Sequence, residues 1–208
     1  MAFGHCPRVI TQTGVLLFAL LIPSCAQQSR PPSELIEQFK STPIFWQQFE
    51  VAKEIVALHD KSVLPMLESY LGNSDRHLRG NAAFIFASLG DDRGFQVITA
   101  ILKDRSGDRP PGQGFGGVFE GVFTSRDKNT SPGWSLRQQI VTDRYYAAHL
   151  LGDLKDPRAV PILAPLLKDP DVNYIVPWCL GEIGDRSAIG PLIETLRDEK
   201  PDMRVLAI

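Results

Sequence analysis

The residues that could do chemistry are few and widely spaced. Four histidines (His5, His59, His77, His149) and three cysteines (Cys6, Cys25, Cys179) are scattered over 208 residues. There is no His-Glu-x-x-His, Cys-x-x-Cys or Gly-x-Ser-x-Gly. A zinc-bound water, a redox dithiol or a serine on a strand–helix elbow is therefore not encoded in any recognisable form. The glycines between Arg105 and Gln138 lack the Gly-Lys-Ser/Thr ending of a phosphate loop. The expectation is no catalytic residue, no metal set and no cofactor. His59-Asp60 reads as a helix-end contact.

What the spacing does offer is binding. Aligned helices bring Phe84, His149 and Trp178 into one column. One turn earlier stand Gly80, Tyr145 and Tyr174, and one turn later Ser88, Asp153 and Glu182. Positions four apart share a helix face, so these columns form an aromatic stripe with an acidic edge. Clustered Tyr and Trp are the usual anchors of contact surfaces. Phe84, Tyr145, His149, Tyr174 and Trp178 are the candidate binding residues. The alternative is that these rings pack on one another or on neighbouring segments. A further column (Arg79, Arg144, Asn173, Arg204) faces turn acids such as Asp169 and Asp171. It reads as a structural ladder of Asp–Arg hydrogen bonds between repeats.

The elements that must hold these columns are repeated helix pairs. The segments starting at Leu151 and Leu180 align without a gap, matching Gly152 to Gly181 and Asp156 to Asp185. A third copy from Arg79 to Asp104 and a weaker one around Ala52 to Leu71 precede them. In each, one helix follows a turn aspartate and carries apolar residues at helical spacing, as in Val160, Leu163 and Leu167. After a short acidic turn a second helix packs small and apolar residues. One pair cannot bury its own faces, whereas stacked pairs make a continuous core. The predicted helices are 34–40, 43–59, 62–71, 75–89, 92–103, 139–153, 157–168, 171–183, 186–197 and 202–208. Asp171 is placed to cap the helix 171–183, and Pro177 inside that helix should kink it.

Leu180 to Ile189 (LGEIGDRSAI) and Leu154 to Pro161 (LKDPRAVP) resemble the HEAT-like repeats of phycobilisome lyases. The resemblance covers most of 43–208. It implies an all-α, right-handed α-α superhelix of the armadillo type, with about four to five helix pairs whose second helices line the concave side. Function does not follow from it, because such repeats serve many roles. The His-Glu pairs that bind iron in HEAT-repeat deoxyhypusine hydroxylases are absent.

The organisation expected is a signal peptide at 1–26, a tether and short helix at 27–42, repeats at 43–104, a Gly/Pro-rich insert at 105–138, and repeats at 139–208 with the last incomplete. Within the insert, Gly117 to Phe123 (GVFEGVF) suits a short strand or hairpin. The insert reads either as a tolerated surface insertion or as a binding flap using Phe115, Phe119, Phe123 and Trp134. Nine apolar residues, Gly14 to Ile22, suit an export signal and are too short to span a bilayer. Leu21-Ile22-Pro23-Ser24-Cys25 resembles a bacterial lipobox, with Cys25 as the lipidation site, although Pro23 departs from it. A plain cleavage after Ala26 fits as well. The expected location is the cell envelope, as an outer-membrane or periplasmic lipoprotein, or secretion. A formal net charge of −2 and a pI near 6.1 argue against nucleic acid as a partner, since phosphate binding needs a basic surface. The partner expected is another protein, with the membrane reached through a lipid on Cys25. The function expected is a non-catalytic protein-binding scaffold. A lyase-like enzyme or enzyme accessory, or the N-terminal piece of a larger enzyme, is the alternative.

Overall fold

A left-handed residue followed by an aspartate opens every described repeat after the first. His59 (φ 53°), Gly90 (φ 83°), Lys155 (φ 53°) and Gly184 (φ 67°) are the positive-φ residues among those described. Each immediately precedes Asp60, Asp91, Asp156 or Asp185. Each aspartate accepts a backbone N–H two residues on, from Ser62 (2.8 Å), Arg93 (3.0 Å), Arg158 (2.9 Å) and Ser187 (2.9 Å). The left-handed residue reverses the chain out of one helix. The carboxylate then satisfies a donor that the next helix cannot.

The computed structural model describes residues 30–105 and 136–197, with 136–140 described by backbone alone. The described residues form nine α-helices and no strand. The first-position helices are α1 (Pro32–Ser41), a stretch around α3 (Leu64–Leu67), α5 (Asp92–Lys103), a stretch around α7 (Val160–Leu163), and a stretch around α9 (Ile189–Thr195). The second-position helices are α2 (Phe45–Ala57), α4 (Arg76–Ser88), α6 (Leu136–Asp153) and α8 (Val176–Ile183). The second helices pack in the order α2, α4, α6, α8, with α5 wedged against α4 and α6. This gives four complete helix pairs and the opening half of a fifth. No helix among the described residues is long and apolar enough to cross a membrane.

Proline explains why two first helices are not regular. The stretch 157–168 is a 3-10 turn (Pro157–Ala159), then α7, then a second 3-10 turn (Ala164–Lys168). Pro157, Pro161 and Pro165 stand four apart, so the N–H that should bond each preceding turn is missing twice in succession. Pro65 does the same at the start of α3.

Two expectations fail at α8. The helix begins at Val176, and residues 170–175 form consecutive turns. Pro177 therefore lies in the first turn, where its absent donor costs nothing, and it starts the helix that it was expected to kink. Asp171 does not cap this helix. The N-cap position is Ile175, and the Asp171 N–H is itself donated to the Asp169 carboxylate at 3.0 Å. Helix α6 is already formed at Leu136, ahead of the expected 139. The signal segment, the 117–123 strand, the rings Phe115, Phe119, Phe123 and Trp134, the 202–208 helix and Arg204 lie outside the described residues.

The core is a single cluster running through every pair, from Leu35 and Phe39 through Ile55, Leu67, Phe86, Ile98 and Leu102 to Leu150, Val176 and Leu180. The second helices sit close because their inner faces are small: Ala82, Ala83, Ala147 and Ala148 are each at most 1% exposed. Gly94 has no room at all. A Cβ there would stand 2.2 Å from the Ala83 carbonyl oxygen and 2.4 Å from the Ala87 nitrogen, so α5 meets α4 backbone to backbone.

Candidate functional site

Helices α6 and α8 present the predicted columns to each other. Tyr145 stacks on Tyr174 with ring centroids 5.4 Å apart and planes at 15°. One turn further, His149 stacks on Trp178 at 4.5 Å and 29°. Tyr145 and His149 are tilted neighbours at 6.5 Å on the same helix. The two stacks follow from one repeat offset, since Tyr145 to Tyr174 and His149 to Trp178 both span 29 residues. Gly152 lets the helices approach: a Cβ there would lie 3.0 Å from the Cys179 Cα and 3.1 Å from Trp178 Cζ3.

The strip is shorter than the column. Phe84 is 6% exposed and packs edge-on against Phe49 at 4.8 Å, so it belongs to the core. The helix before it, α2, supplies the ring that covers it, which spacing within α4 could not reveal. Tyr145, Tyr174 and His149 are half-buried, and Trp178 is 39% exposed.

The phenols and the thiol of the strip hold their protons. Burial pushes the Tyr145 phenol up, and the neighbouring Cys179 adds to this. Burial, reinforced by Tyr145, takes Tyr174 up to about 12. The Cys179 thiol is pushed well above its ordinary value by burial and then by the Asp153 and Glu182 charges. It is a thiol donating to the Ala148 carbonyl at 3.2 Å, not a nucleophilic thiolate. His149 Nδ1 lies 2.9 Å from Asp153 Oδ2 without the alignment of a hydrogen bond. Lys155, which opens the α7–α8 repeat, meets Glu182 at the end of α8 at 3.2 Å.

A second assembly lies at the turns that join first and second helices. Arg144, 2% exposed, donates from Nη2 to Asp169 Oδ2 at 2.6 Å and from Nε to the Leu102 carbonyl at 2.8 Å. Its Nη1 stands 3.6 Å from Asp171 Oδ2. Arg105 also donates to Asp169 and lies 3.7 Å from Asp171. Arg79 donates to the Asn73 carbonyl at 2.8 Å. The preceding repeat also uses residues that the columns did not single out: Arg76, on α4 with Arg79, bonds Asp104 and, at 3.1 Å, Asp143. Burial would raise Asp169, but Arg144, the Asp171 N–H and Arg105 outweigh it and hold its carboxyl below the usual range. Asp75 behaves alike: His77 and two backbone N–H groups at the start of α4 outweigh its burial. Arg76 escaped the sequence reading because its partners lie 28 and 67 residues away.

A third set is wholly internal. Tyr146 donates to Asn81 Oδ1, and Asn81 Nδ2 donates to Gln48 Oε1 at 2.8 Å and the Phe45 carbonyl at 2.9 Å. Gln48 Nε2 donates to the Phe39 carbonyl at 2.9 Å. This line of amides ties α1, α2, α4 and α6 together beside His77, which stacks on Phe45 at 4.5 Å. Buried polar groups joined this way fix register between helices. No group of three or more His, Cys, Asp or Glu among the described residues could hold a metal ion.

Residues 137–208 match the family model of HEAT repeats. The chain is 36% identical over 91 residues to the bilin biosynthesis protein PecE of Mastigocladus laminosus. That alignment covers 42% of this chain and 31% of the length of PecE. Residues 137–208 thus carry HEAT repeats, the described residues fold as an all-α solenoid, and the chain is similar to a bilin biosynthesis protein over part of each sequence.

Proposed function

We propose that this chain is a non-catalytic protein-binding scaffold of the cell envelope, which takes its partner on the concave side of the solenoid. The observation that carries this is the pair of inter-repeat ring stacks ending on Trp178. It is the one aromatic residue among the described exposed large hydrophobics. Rigid aromatic rings held by neighbours lose little entropy on binding and are the side chains that dominate contact energies. HEAT repeats, which stack into extended surfaces, support the same reading. The envelope assignment rests on Gly14 to Ile22 and on Cys25 as the lipid-bearing residue.

The test is crosslinking capture from membranes expressing the full chain. With Trp178→Ala the captured partner should be lost while the melting temperature is nearly unchanged. Undiminished capture would overturn the reading. Cys25→Ser should release the chain from the membrane fraction, and unchanged partition would remove the lipid anchor.

The 36% identity to a bilin biosynthesis protein favours a second reading, in which the repeats belong to a lyase-related enzyme or accessory. Purified protein should then shift the absorbance of an added linear tetrapyrrole. An unshifted spectrum at excess protein would exclude it.

A further inference from the structure

We propose that the occupant of this strip is a cationic side chain, an arginine on a basic segment of the partner protein, laid over the open face of Trp178 with its charge toward Glu182 and Asp153. This rests on the reading of the strip as a docking surface.

The ring comes first. One face of Trp178 is covered by His149 at 4.5 Å, and the residue remains 39% exposed. The exposed part is an indole, the ring that attracts cations best. The charges come next. Glu182 stands one helical turn beyond Trp178 on α8, and Asp153 one turn beyond His149 on α6. Both carboxylates act on Cys179, the residue after Trp178, which places their charge at this end of the strip. Lys155 balances one of them through its 3.2 Å contact with Glu182. Two carboxylates against one ammonium leave one negative charge beside the ring, the imidazole aside.

The same chain shows twice what completes such a site. Arg158 places its Cζ 4.7 Å from the Phe95 ring centroid while bonding Asp156 and, at 2.8 Å, Asp92. Arg93 lies 5.2 Å over Phe86 while bonding Asp91 at 2.8 Å and Glu68 at 2.5 Å. In both, one ring and two carboxylates receive one guanidinium. At Trp178 the ring and the two carboxylates are in place. Among the described residues no cation lies over that ring. A guanidinium fits better than an ammonium because it is planar, weakly hydrated, and can stack while its edge bonds a carboxylate.

The experiment titrates the purified full-length chain with a dye-labelled short peptide carrying two arginines, and with its glutamine and glutamate counterparts, by fluorescence anisotropy. The arginine peptide should bind about tenfold more tightly than the glutamine one at low salt, and lose that advantage as salt rises. Trp178→Leu should weaken it about tenfold. Glu182→Gln should weaken it about threefold, whereas Lys155→Gln should strengthen it, because they change the local charge in opposite senses. Equal binding of the three peptides, tighter binding of the glutamate peptide, or parallel effects of Glu182→Gln and Lys155→Gln would overturn the proposal. If the arginine peptide fails while Trp178→Ala still abolishes capture from membranes, the cationic partner falls and the docking surface stands. If capture also survives Trp178→Ala, both fall.

Discussion

Arg144 and Asp169 meet at 2.6 Å with Arg144 2% and Asp169 9% exposed, so this ion pair joining α6 to the next repeat sits almost wholly out of water. Its geometry explains its tolerance of burial. The guanidinium also reaches the Leu102 carbonyl, and the carboxylate also accepts the Asp171 N–H and a bond from Arg105. Removing Arg144 takes away the buried partner of Asp169 and leaves it only the more exposed Arg105 and a backbone N–H. Arg144→Met should therefore cost about 3–5 kcal/mol of unfolding free energy. Urea denaturation of the full chain would show it as a lowered midpoint with little change in slope. A loss below about 1 kcal/mol would mean that the pair is solvated.

The same carboxylates make stability depend on acid. Asp169 and Asp75 are held below their ordinary value in the folded chain, whereas in the unfolded chain an aspartate titrates near about 3.9. A depressed folded pKa means that the stabilisation is complete above the unfolded value and is lost as the pH falls through the folded one. The melting temperature should thus be flat from neutral pH down to about 5 and fall steeply below about 4. Asp169→Asn should lower the plateau and shallow the acid limb. An acid limb unchanged in that variant would assign the effect elsewhere.

Two glycines should respond in opposite ways to the same methyl group. Gly94→Ala drives a Cβ into the α4 backbone, 2.2 Å from the Ala83 oxygen, so the helices must part. Overpacking of this kind costs about 1–3 kcal/mol, and backbone contact puts Gly94 at the upper end. Gly181, exposed on α8, has nothing within 4 Å of its built Cβ. Gly181→Ala should raise stability by about 0.5–1 kcal/mol through helix propensity. Paired thermal melts of the two variants check both signs.

The left-handed repeat openers give another opposed pair. His59 and Lys155 hold φ near 53° with a side chain, where Gly90 and Gly184 hold it without one. Gly184→Ala should cost about 1–2 kcal/mol from the left-handed backbone alone, since the nearest atom to its Cβ is 3.8 Å away. His59→Gly should gain up to about 1 kcal/mol at the equivalent turn. A loss on His59→Gly would show that the imidazole makes a contact worth more than the strain.

Much of the solenoid was legible because it is a local pattern repeated. The turn aspartates, the 3.6-residue apolar spacing and the offset of 29 residues place the helices from α1 to α9, mostly within a few residues of their observed ends. Pro177 was misread because a proline inside a continuous apolar stretch suits a kink and a helix start alike. The deciding fact is that residues 170–175 are consumed in turns around Asp169, which depends on Arg144 and Arg105 from other repeats.

The strip was legible in part for the same reason. Counting residues is enough to put Tyr145 and Tyr174, and His149 and Trp178, at equivalent positions in adjacent repeats. Which of those rings meet solvent depends on how the repeats pack. Phe84 holds the same column position as Trp178, yet Phe49 from α2 covers it, while Trp178, stacked on His149, stays 39% exposed. The buried charges divide likewise: Arg144 and Asp169 recur with the period, but Arg76 finds Asp104 and Asp143 only once the stack is formed. A repeat fixes what each position is next to within its own helix pair. Burial is set by what the neighbouring pairs happen to place opposite, and that is a property of the assembled chain.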